Sequence, residues 1–432
     1  MKHAVQAEDV PHAVAGNGLL DRRVFLKRGS WLLGAAASAG AATSAGAAGI
    51  GKGSPEWMKT PGMALREYGS PSDHAGLKRA VLKPYGDMAP GTGVSLTPLQ
   101  SVHGTITPNG LHFERSHNGV PDIDPEQHEL VIHGLVKQPL RFSYNDLLRY
   151  PSVTRICFIE CSGNSFFNSN MMPEPQQVPV GHLHGLISNA EWTGIPLSVL
   201  LDEAGVSPEG KWLLAEGADA AGMSRSIPLA KAMDDVMLAL YQNGEPVRPE
   251  QGYPMRLVVP GFEGNMHVKW LRRLKVTAEP TYTKDETSKY TELQPDGKSR
   301  LFTYTMGVKS TITQPSTGFN LTQKGIYEVS GLAWSGHGRI ARVEVSADGG
   351  KTWADAALSE PNLSMSTVRF RIPWRWDGSP ATLMSRAHDD KGNVQVRRAD
   401  WSKEYAAGQL YHYNAIQAWK ISSQGEVSNV YA

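Results

Sequence analysis

The last third of the chain consists of short β-rich segments at regular spacing, and this pattern constrains the fold more than any other feature. Apolar and β-branched residues are concentrated in segments 325–332, 340–347, 368–373 and 381–388. Turn sequences lie between segments, among them Asp348-Gly349-Gly350 and Asp389-Asp390-Lys391-Gly392. Short strands separated by such turns are typical of an antiparallel β-sandwich. We therefore expect a β-sandwich over residues 300–432.

The region before the sandwich mixes two patterns. Short apolar runs at 129–133 and 255–259 predict strands, whereas apolar residues at helical spacing in 197–204 predict a helix. A chain of 432 residues has room for two large domains. We expect an α+β fold over 98–290, an extended arm over 48–97 that is rich in Gly, Pro and Ser, and a domain boundary within the polar stretch 285–298.

A charged segment precedes a weakly apolar stretch near the N-terminus. The charged segment is Asp21-Arg22-Arg23-Val24-Phe25-Leu26-Lys27, a Gly- and Ala-rich run follows from 29 to 50, and small residues occupy 45–47. This order predicts a twin-arginine signal peptide over 1–47 and a periplasmic protein that is exported folded, as cofactor enzymes commonly are. The alternative is a membrane anchor, but Gly and Ala contribute little transfer energy, so we expect no membrane association.

Composition excludes two further classes of protein. The 43 Lys and Arg residues balance the 42 Asp and Glu residues, so we expect no nucleic-acid partner. The 2 cysteines, Cys157 and Cys161, are too close together to support a disulfide framework. They require another explanation.

Cys161 lies where an apolar run, Cys157-Phe-Ile-Glu, meets the turn sequence Ser162-Gly-Asn164. Three interpretations are a buried inert thiol, a nucleophile and a thiolate metal ligand. No histidine lies in the local sequence to act as a base, and no Cys or His follows at zinc-site spacing. The chain also lacks a Cys-x-x-Cys-His haem motif. Two interpretations of Cys161 remain: an inert thiol, or the single protein thiolate bound to a metal whose other ligands come from elsewhere. Cys157 is expected to be a buried structural thiol.

Ordered motifs along the chain resemble those of the sulfite oxidase family of molybdenum enzymes. They are Phe113-Glu-Arg115-Ser-His117, Glu160-Cys161-Ser-Gly-Asn164, Trp192-Thr-Gly194, Ser226-Ile-Pro-Leu229, Asn243-Gly-Glu-Pro246 and Arg256-Leu-Val-Val-Pro260-Gly261 through His267-Val-Lys269. In the C-terminal part, Gly331-Leu-Ala-Trp334 and Asp348-Gly-Gly350-Lys-Thr-Trp353 resemble that family's immunoglobulin-like dimerisation domain. The resemblance covers roughly residue 98 to the C-terminus.

The resemblance implies a molybdenum centre with a single molybdopterin and no haem or flavin in this chain. Cys161 would be the metal ligand, and Cys161, Arg115 and Tyr290 would be catalytic. The implied cofactor-binding residues are Phe113, Arg115, His117, Cys161, Asp219, Arg256, His267, Val268 and Lys269. Alternatively, the charged residues of this set are ordinary surface charges that bind no cofactor.

Three positions depart from the family pattern. Members that oxidise free sulfite resemble one another in having arginine after the Cys-Ala-Gly-Asn motif, whereas Ser165-Phe166-Phe167 stands here. Two aromatic residues do not compensate the charge of a small dianion, but they could line a channel for sulfur on a flexible arm. Gln251 replaces a histidine that would contact phosphate, and Met223 replaces a common tyrosine.

Together with the twin-arginine sequence and the absent haem motif, the segment Cys161-Ser-Gly-Asn-Ser165-Phe-Phe resembles the sulfane dehydrogenases of this family. That resemblance implies a periplasmic enzyme that oxidises sulfane sulfur bound to a carrier-protein cysteine, with oxygen taken from water. Its implied partners are the carrier, a c-type cytochrome subunit that accepts the electrons, and a second copy of the chain, giving a heterotetramer. A sulfite dehydrogenase is the first alternative. A sandwich binding protein with a degenerate cofactor domain is the alternative outside enzymes, whereas a methionine sulfoxide reductase and a plant-type nitrate reductase fit the domain content less well.

Overall fold

The C-terminal part is built from two antiparallel sheets. The computed structural model describes residues 13–21, 55–82, 89–169 and 171–432. One sheet runs in the spatial order Ala13–Ala15, Leu19–Leu20, Val368–Trp376, Gly325–Trp334 and Lys309–Gln314, with Ala357–Leu358 also paired to Val368–Trp376. The other runs in the order Ala354–Asp355, Ile340–Ser346, Ala381–Asp389, Ala418–Ile421 and Val427–Val430.

Residues of both sheets share one hydrophobic cluster, which includes the fully buried Trp334, Trp374 and Trp419. Each sheet therefore buries one face against the other, as a sandwich requires. The predicted sandwich is confirmed, and each of the four predicted segments is a strand in nearly the expected range.

Two further sheets form the central part of the chain. The first consists of Ser224–Pro228, Trp212–Gly217, Leu271–Thr277, Glu129–Gly134 and Leu140–Ser143, in which Leu271–Thr277 and Glu129–Gly134 are parallel. The second consists of Glu245–Pro246, Met237–Gln242, Ile187–Pro196 and Val153–Glu160, with Arg256–Val258 beside Met237–Gln242. With the short helices that connect these strands, the region has the predicted α+β fold.

The α-helices are short, and among the described residues they are Tyr144–Leu147, Val180–His184, Leu197–Ala204, Leu229–Asp234, Lys284–Thr287 and Arg398–Glu404. The helix Leu197–Ala204 follows the predicted spacing, because Leu197, Leu200, Leu201 and Ala204 are fully buried on one face. It ends at Gly205, whose φ of 68° is the left-handed conformation that glycine adopts easily. No described helix is long and apolar enough to cross a membrane.

The described part of the predicted arm begins with two short 3-10 helices, Glu56–Met58 and Asp73–Ala75, and ends in a small sheet. Residues 55–79 form no strand and expose side chains such as Trp57 and Leu65. Ala80–Leu82 and Gly93–Leu96 then join Glu114–Ser116 in a three-stranded sheet that borders the site described below.

The polar stretch 285–298, predicted to contain the domain boundary, is buried at its start and exposed at its end. Asp285 and Glu286 are buried, and Glu286 forms an ion pair with the buried Arg225 at 3.0 Å. The nearby strands Glu292–Leu293 and Ser299–Arg300 form a small sheet of their own. These charges are therefore satisfied inside the protein.

The predicted signal peptide lies mostly outside the described residues. Its described part, residues 13–21, forms a hairpin on the sandwich through Ala13–Ala15 and Leu19–Leu20.

Candidate active site

Cys161 follows directly after the strand Val153–Glu160, where the chain turns away from the sheet. Its amide donates to the Leu186 carbonyl at 2.9 Å, and the Asn164 amide donates to the Cys161 carbonyl at 2.8 Å. A Cβ atom on Gly264 would lie 3.2 Å from the Cys161 backbone, so a larger residue there would crowd this turn. The turn thus fixes the cysteine at the meeting point of two cavities.

The two thiols have different surroundings. Cys157 is fully buried in the strand, and burial raises its pKa to about 12, so it is an inert packing residue. Burial also raises the pKa of the Cys161 thiol, although the Gly163 amide opposes that shift. A thiol with a raised pKa is protonated unless a cation displaces the proton, which is what a bound metal does.

A cleft on one side of Cys161 brings together all ten site residues predicted from the sequence. They are Cys161, Arg115, Tyr290, Phe113, His117, Asp219, Arg256, His267, Val268 and Lys269. The other lining residues are His112, Ser116, Ile159, Met223, Gln251, Gly264, Asn265 and Trp270. The structure places these residues together, whereas their individual roles remain predictions.

Arg256 and Lys269 provide buried positive charge in the cleft. Arg256 donates to the carbonyls of Gln251 at 2.8 Å and His267 at 3.1 Å, and burial lowers its pKa to about 9. Lys269 donates to the carbonyls of Glu250 at 2.9 Å and Arg115 at 3.2 Å. Burial, together with the charge on Arg256, lowers the pKa of Lys269 to about 7. Two cations held by neutral carbonyls form a site that favours an anion.

The buried histidines of the cleft are neutral. Burial lowers the pKa of His112 and that of His267 to about 3. The Val259 amide donates to Nδ1 of His267, and Nε2 of His267 lies 3.2 Å from the Phe262 carbonyl. A neutral ring with its proton on Nε2 satisfies both contacts.

Gln251, one of the three departures from the family pattern, holds the walls of the cleft together. Its Nε2 donates to the Phe113 carbonyl at 2.8 Å, and its Oε1 accepts from Arg256 at 3.3 Å. Met223, another departure, also lines the cleft. Gln251 therefore positions Arg256 in addition to facing the cleft.

Tyr290 lies between the cleft and the second cavity. Its hydroxyl is 3.0 Å from Nε2 of His117, and burial raises the pKa of Tyr290 well above its ordinary value while lowering that of His117 to about 3. The guanidinium of Arg225 lies 5.1 Å from the centre of the Tyr290 ring. Tyr290 is thus a neutral phenol held in place from two sides.

The donor set of the cleft fits a molybdopterin. Three buried polar atoms there have no partner within the protein: His112 Nε2, Asp219 Oδ1 and Arg256 Nε. Such atoms are costly unless a ligand satisfies them. Arg256 and Lys269 suit a phosphate, Asp219 and His112 suit the polar edge of a pterin, and the Cys161 thiolate suits a soft metal.

The second cavity, which opens on the other side of Cys161, is largely apolar and has a volume of about 370 Å³. Phe166 and Phe167, whose ring centres are 4.0 Å apart, form part of its wall. Its other lining residues include Leu82 and Val94 of the arm, Met171, Leu183 and Leu186 of the central part, and Leu410 and Tyr411 of the C-terminal part. Three parts of the chain therefore build one cavity beside the thiol.

A buried lysine lies where sequence analysis found no positive charge. Lys309 Nζ donates to Ser165 Oγ at 2.6 Å and forms an ion pair with Glu160 at 3.1 Å. The interpretation that no cation stands near the segment after Asn164 is therefore incomplete. Since Glu160 matches this charge inside the protein, Lys309 adds no net charge to the cavity.

Sequence reasoning missed several residues of the site. His112 directly precedes the first motif and could have been found from its neighbours. Arg225 likewise directly precedes the motif Ser226-Ile-Pro-Leu229, whereas Lys309 and Tyr411 stand outside the quoted motifs and no local signal marks them. They reach the site because the sheet containing Arg225 and the C-terminal domain pack against the Cys161 turn, where the His412 amide donates to the Ser162 carbonyl.

Comparisons with known proteins agree with this geometry. Residues 117–284 match the model for the oxidoreductase molybdopterin binding domain, and residues 300–419 match that for the Mo-co oxidoreductase dimerisation domain. Mitochondrial sulfite oxidase of Mus musculus is 32% identical over 373 residues, which cover 80% of this chain and 66% of that protein. The enzyme of Homo sapiens is 34% identical over 67% of this chain and 57% of its own length. The chain thus spans about two thirds or less of these relatives.

A solved structure is also similar. The sulfane dehydrogenase SoxCD from Paracoccus pantotrophus matches with a TM-score of 0.85 and 44% sequence identity, over 89% of this chain and 98% of that one. Together with the domain matches, this similarity shows that the chain belongs to the sulfite oxidase family of molybdopterin oxidoreductases.

Proposed function

We propose that this oxidoreductase oxidises sulfane sulfur attached to a carrier-protein cysteine in thiosulfate oxidation, taking oxygen from water and passing electrons to a c-type cytochrome. The observation that carries the proposal is the apolar cavity of about 370 Å³ beside Cys161, walled by Phe166 and Phe167. The 44% identity to a sulfane dehydrogenase supports the same assignment.

The charge around the cavity argues against a small dianion as the preferred substrate. Among the described lining residues, Arg115 is the one lysine or arginine. The nearby Lys309 is paired with Glu160. A dianion such as free sulfite would lose its hydration without enough charge-assisted hydrogen bonds. A sulfur atom on a flexible protein arm brings less charge and gains apolar contacts along the cavity.

The cofactor, when bound, supplies the two-electron oxidation and the transfer of an oxygen atom that comes from water. Each such step adds one oxygen to the substrate sulfur and releases two electrons and two protons. Arg115 and Tyr290 line both the cleft and the apolar cavity. They therefore face the position where a substrate sulfur in the apolar cavity would meet a metal bound to Cys161. With the proton of the neutral His117 ring on Nε2, that ring donates to the Tyr290 hydroxyl, and the phenol proton is then free for a hydrogen bond to an oxygen there.

Export and assembly complete the proposal. The twin-arginine sequence, Arg22-Arg23, supports a periplasmic location. The match to a dimerisation domain at 300–419 supports a homodimer formed through the sandwich. With one cytochrome subunit for each copy, the assembly would be a heterotetramer in which electrons leave to the cytochrome haem.

The test compares two substrates with the purified, cofactor-loaded protein and ferricytochrome c. One is a carrier protein with sulfane sulfur on its cysteine, and the other is free sulfite, each at matched concentrations. We expect a higher kcat/KM for the carrier-bound sulfur, and reduced carrier without sulfane sulfur serves as the control. Efficient sulfite turnover with no carrier turnover would overturn the proposal.

A sulfite dehydrogenase is the second candidate, and the presence of Arg115 at the cavity together with the identity to sulfite oxidases favours it. The substrate comparison separates the two. A non-catalytic protein is the outcome only if correctly matured protein contains no molybdenum, which elemental analysis measures directly.

A further inference from the structure

The segment directly before the twin-arginine pair is a folded part of the sandwich. Ala13–Ala15 and Leu19–Leu20 form an antiparallel hairpin, and Leu19 pairs with Trp374 in the strand Val368–Trp376. The hairpin thereby extends one sheet of the sandwich by two short strands. Addition of an extended segment to a sheet edge is a common mode of peptide recognition.

Side chains fix this hairpin in place. Leu19 and Leu20 are buried, with 0% and 2% of their surface exposed, and Leu19 belongs to the hydrophobic cluster of the sandwich. The Trp374 indole donates to the Asn17 carbonyl at 2.8 Å, and the Asn17 amide group donates to the Ala347 carbonyl at 2.8 Å. The Gly16 amide donates to Thr352 Oγ1 at 2.7 Å. The hairpin is therefore held on the sandwich by hydrogen bonds to particular atoms as well as by apolar contacts.

Both glycines of the turn are matched to this surface. A Cβ atom on Gly18, whose φ is +88°, would lie 2.1 Å from the Arg375 carbonyl oxygen. A Cβ atom on Gly16 would lie 2.3 Å from Asp348 Oδ2. The sequence Gly16-Asn17-Gly18 thus allows an approach that other residues would block.

We propose that the sandwich carries a binding site for the chain's own N-terminal segment, and that docking of residues 13–20 masks the twin-arginine sequence that follows. In the sequence, Arg22 and Arg23 follow the buried Leu20 by two and three positions. A protein that reads Arg22 and Arg23 together with the residues before them must displace the hairpin. The masking role rests on the proposed export signal, whereas the docking itself does not.

The test uses the full unprocessed chain loaded with cofactor. Trypsin cleavage after Arg22 or Arg23 requires the preceding residues, including Leu20, in an extended form, so its rate reports the undocked fraction. Leu19→Asp places a charge in the buried position and should raise this rate by about a hundredfold. Val14→Asp, a matched change at a position that is 44% exposed in the same hairpin, should leave it near the wild-type rate.

Hydrogen exchange gives an independent measurement. Amides of residues 13–20 should exchange more slowly than those of an unstructured peptide in the wild type and in Val14→Asp, and lose this protection in Leu19→Asp. Equal molybdenum content in the three proteins verifies that the rest of the chain has folded. Unprotected wild-type amides, or equal cleavage of the two variants, would overturn the docking.

Export kinetics test the masking role. Periplasmic appearance of the chain in cells should be faster for Leu19→Asp than for Val14→Asp, because the undocked signal is open to its receptor. Equal rates would overturn masking. If the wild-type chain is not exported at all, the periplasmic assignment fails, and the cleavage and exchange results still decide whether the segment docks.

Discussion

Replacing Lys309 by methionine should destabilise the protein strongly, because it breaks a buried ion pair behind the Cys161 turn. Lys309 and Glu160 have side-chain exposures of 2% and 1%. Without the lysine, the Glu160 carboxylate keeps its hydrogen bonds from Asn164 at 2.8 Å and Trp334 at 2.6 Å but loses its counter-charge. The Tyr413 carbonyl also loses the donor that lay 2.8 Å away.

The magnitude follows from the cost of a buried charge without a partner. Removing one member of a buried ion pair costs about 3–5 kcal/mol, so Lys309→Met should lower the free energy of unfolding by that amount. Replacing both members is far less costly, because no charge is left unpaired. Adding Glu160→Gln to Lys309→Met removes the unpaired charge, but the new amide NH2 faces the donor of Asn164 or Trp334, so the double variant should recover only part of the loss, about 1 kcal/mol.

The assay is guanidinium unfolding of the cofactor-loaded protein, followed by tryptophan fluorescence. With a denaturant slope of about 4 kcal/mol per molar, the Lys309→Met midpoint should fall by about 1 M. Lys420→Met, at an exposed position of the sandwich, is the matched control and should shift the midpoint little. A loss below about 1 kcal/mol for Lys309→Met, or no recovery in the double variant, would show that this ion pair does not stabilise the protein.

Three further predictions concern the cleft, the cavity and pH. Lys269→Met should reduce the amount of molybdopterin retained after purification about tenfold or more, because it removes a buried hydrogen-bond donor to the phosphate. Lys275→Met, at an exposed position nearby, should retain the wild-type amount. Extraction of the cofactor measures both amounts. Phe166→Arg should raise the kcat/KM for free sulfite relative to carrier-bound sulfur, and an unchanged ratio would contradict an apolar selection. Burial lowers the pKa of His184 in the folded protein to about 3. As the pH falls below about 6.5, this histidine is therefore protonated in the unfolded state but not in the folded state. Stability should therefore decline below that pH, by about 1.4 kcal/mol per unit for this histidine, and denaturation of His184→Gln between pH 6 and 4 should show a shallower decline.

Much of the fold follows from local sequence patterns. The sandwich strands alternate with turns that contain glycine and aspartate, and the helix Leu197–Ala204 repeats its apolar residues at helical spacing. Both signals depend on neighbours along the chain, so they are visible without a structure. Eight of the ten cleft residues were found because they lie in ordered motifs that resemble one family, whereas Asp219 and Tyr290 were assigned from the resemblance alone.

The remaining features depend on contacts between distant parts of the chain. Lys309 reaches Ser165 across 144 positions, and Asn17 contacts Ala347 across 330. No local pattern reveals that a lysine in a β-strand will be buried beside a glutamate of another domain. The hairpin at residues 13–20 was missed because the charged segment after it predicts a signal peptide, which carries no expectation of tertiary contacts.

Cys161 is predicted to bind molybdenum, and X-ray absorption at the molybdenum edge measures this ligation. The wild-type protein should show sulfur ligands from the pterin and one more from the thiolate, whereas Cys161→Ser should lose one sulfur from the metal environment and lose activity while keeping its fold. Cys157→Ser, at the buried neighbour, should leave the spectrum unchanged. An identical metal environment in wild type and Cys161→Ser would show that Cys161 does not bind the metal.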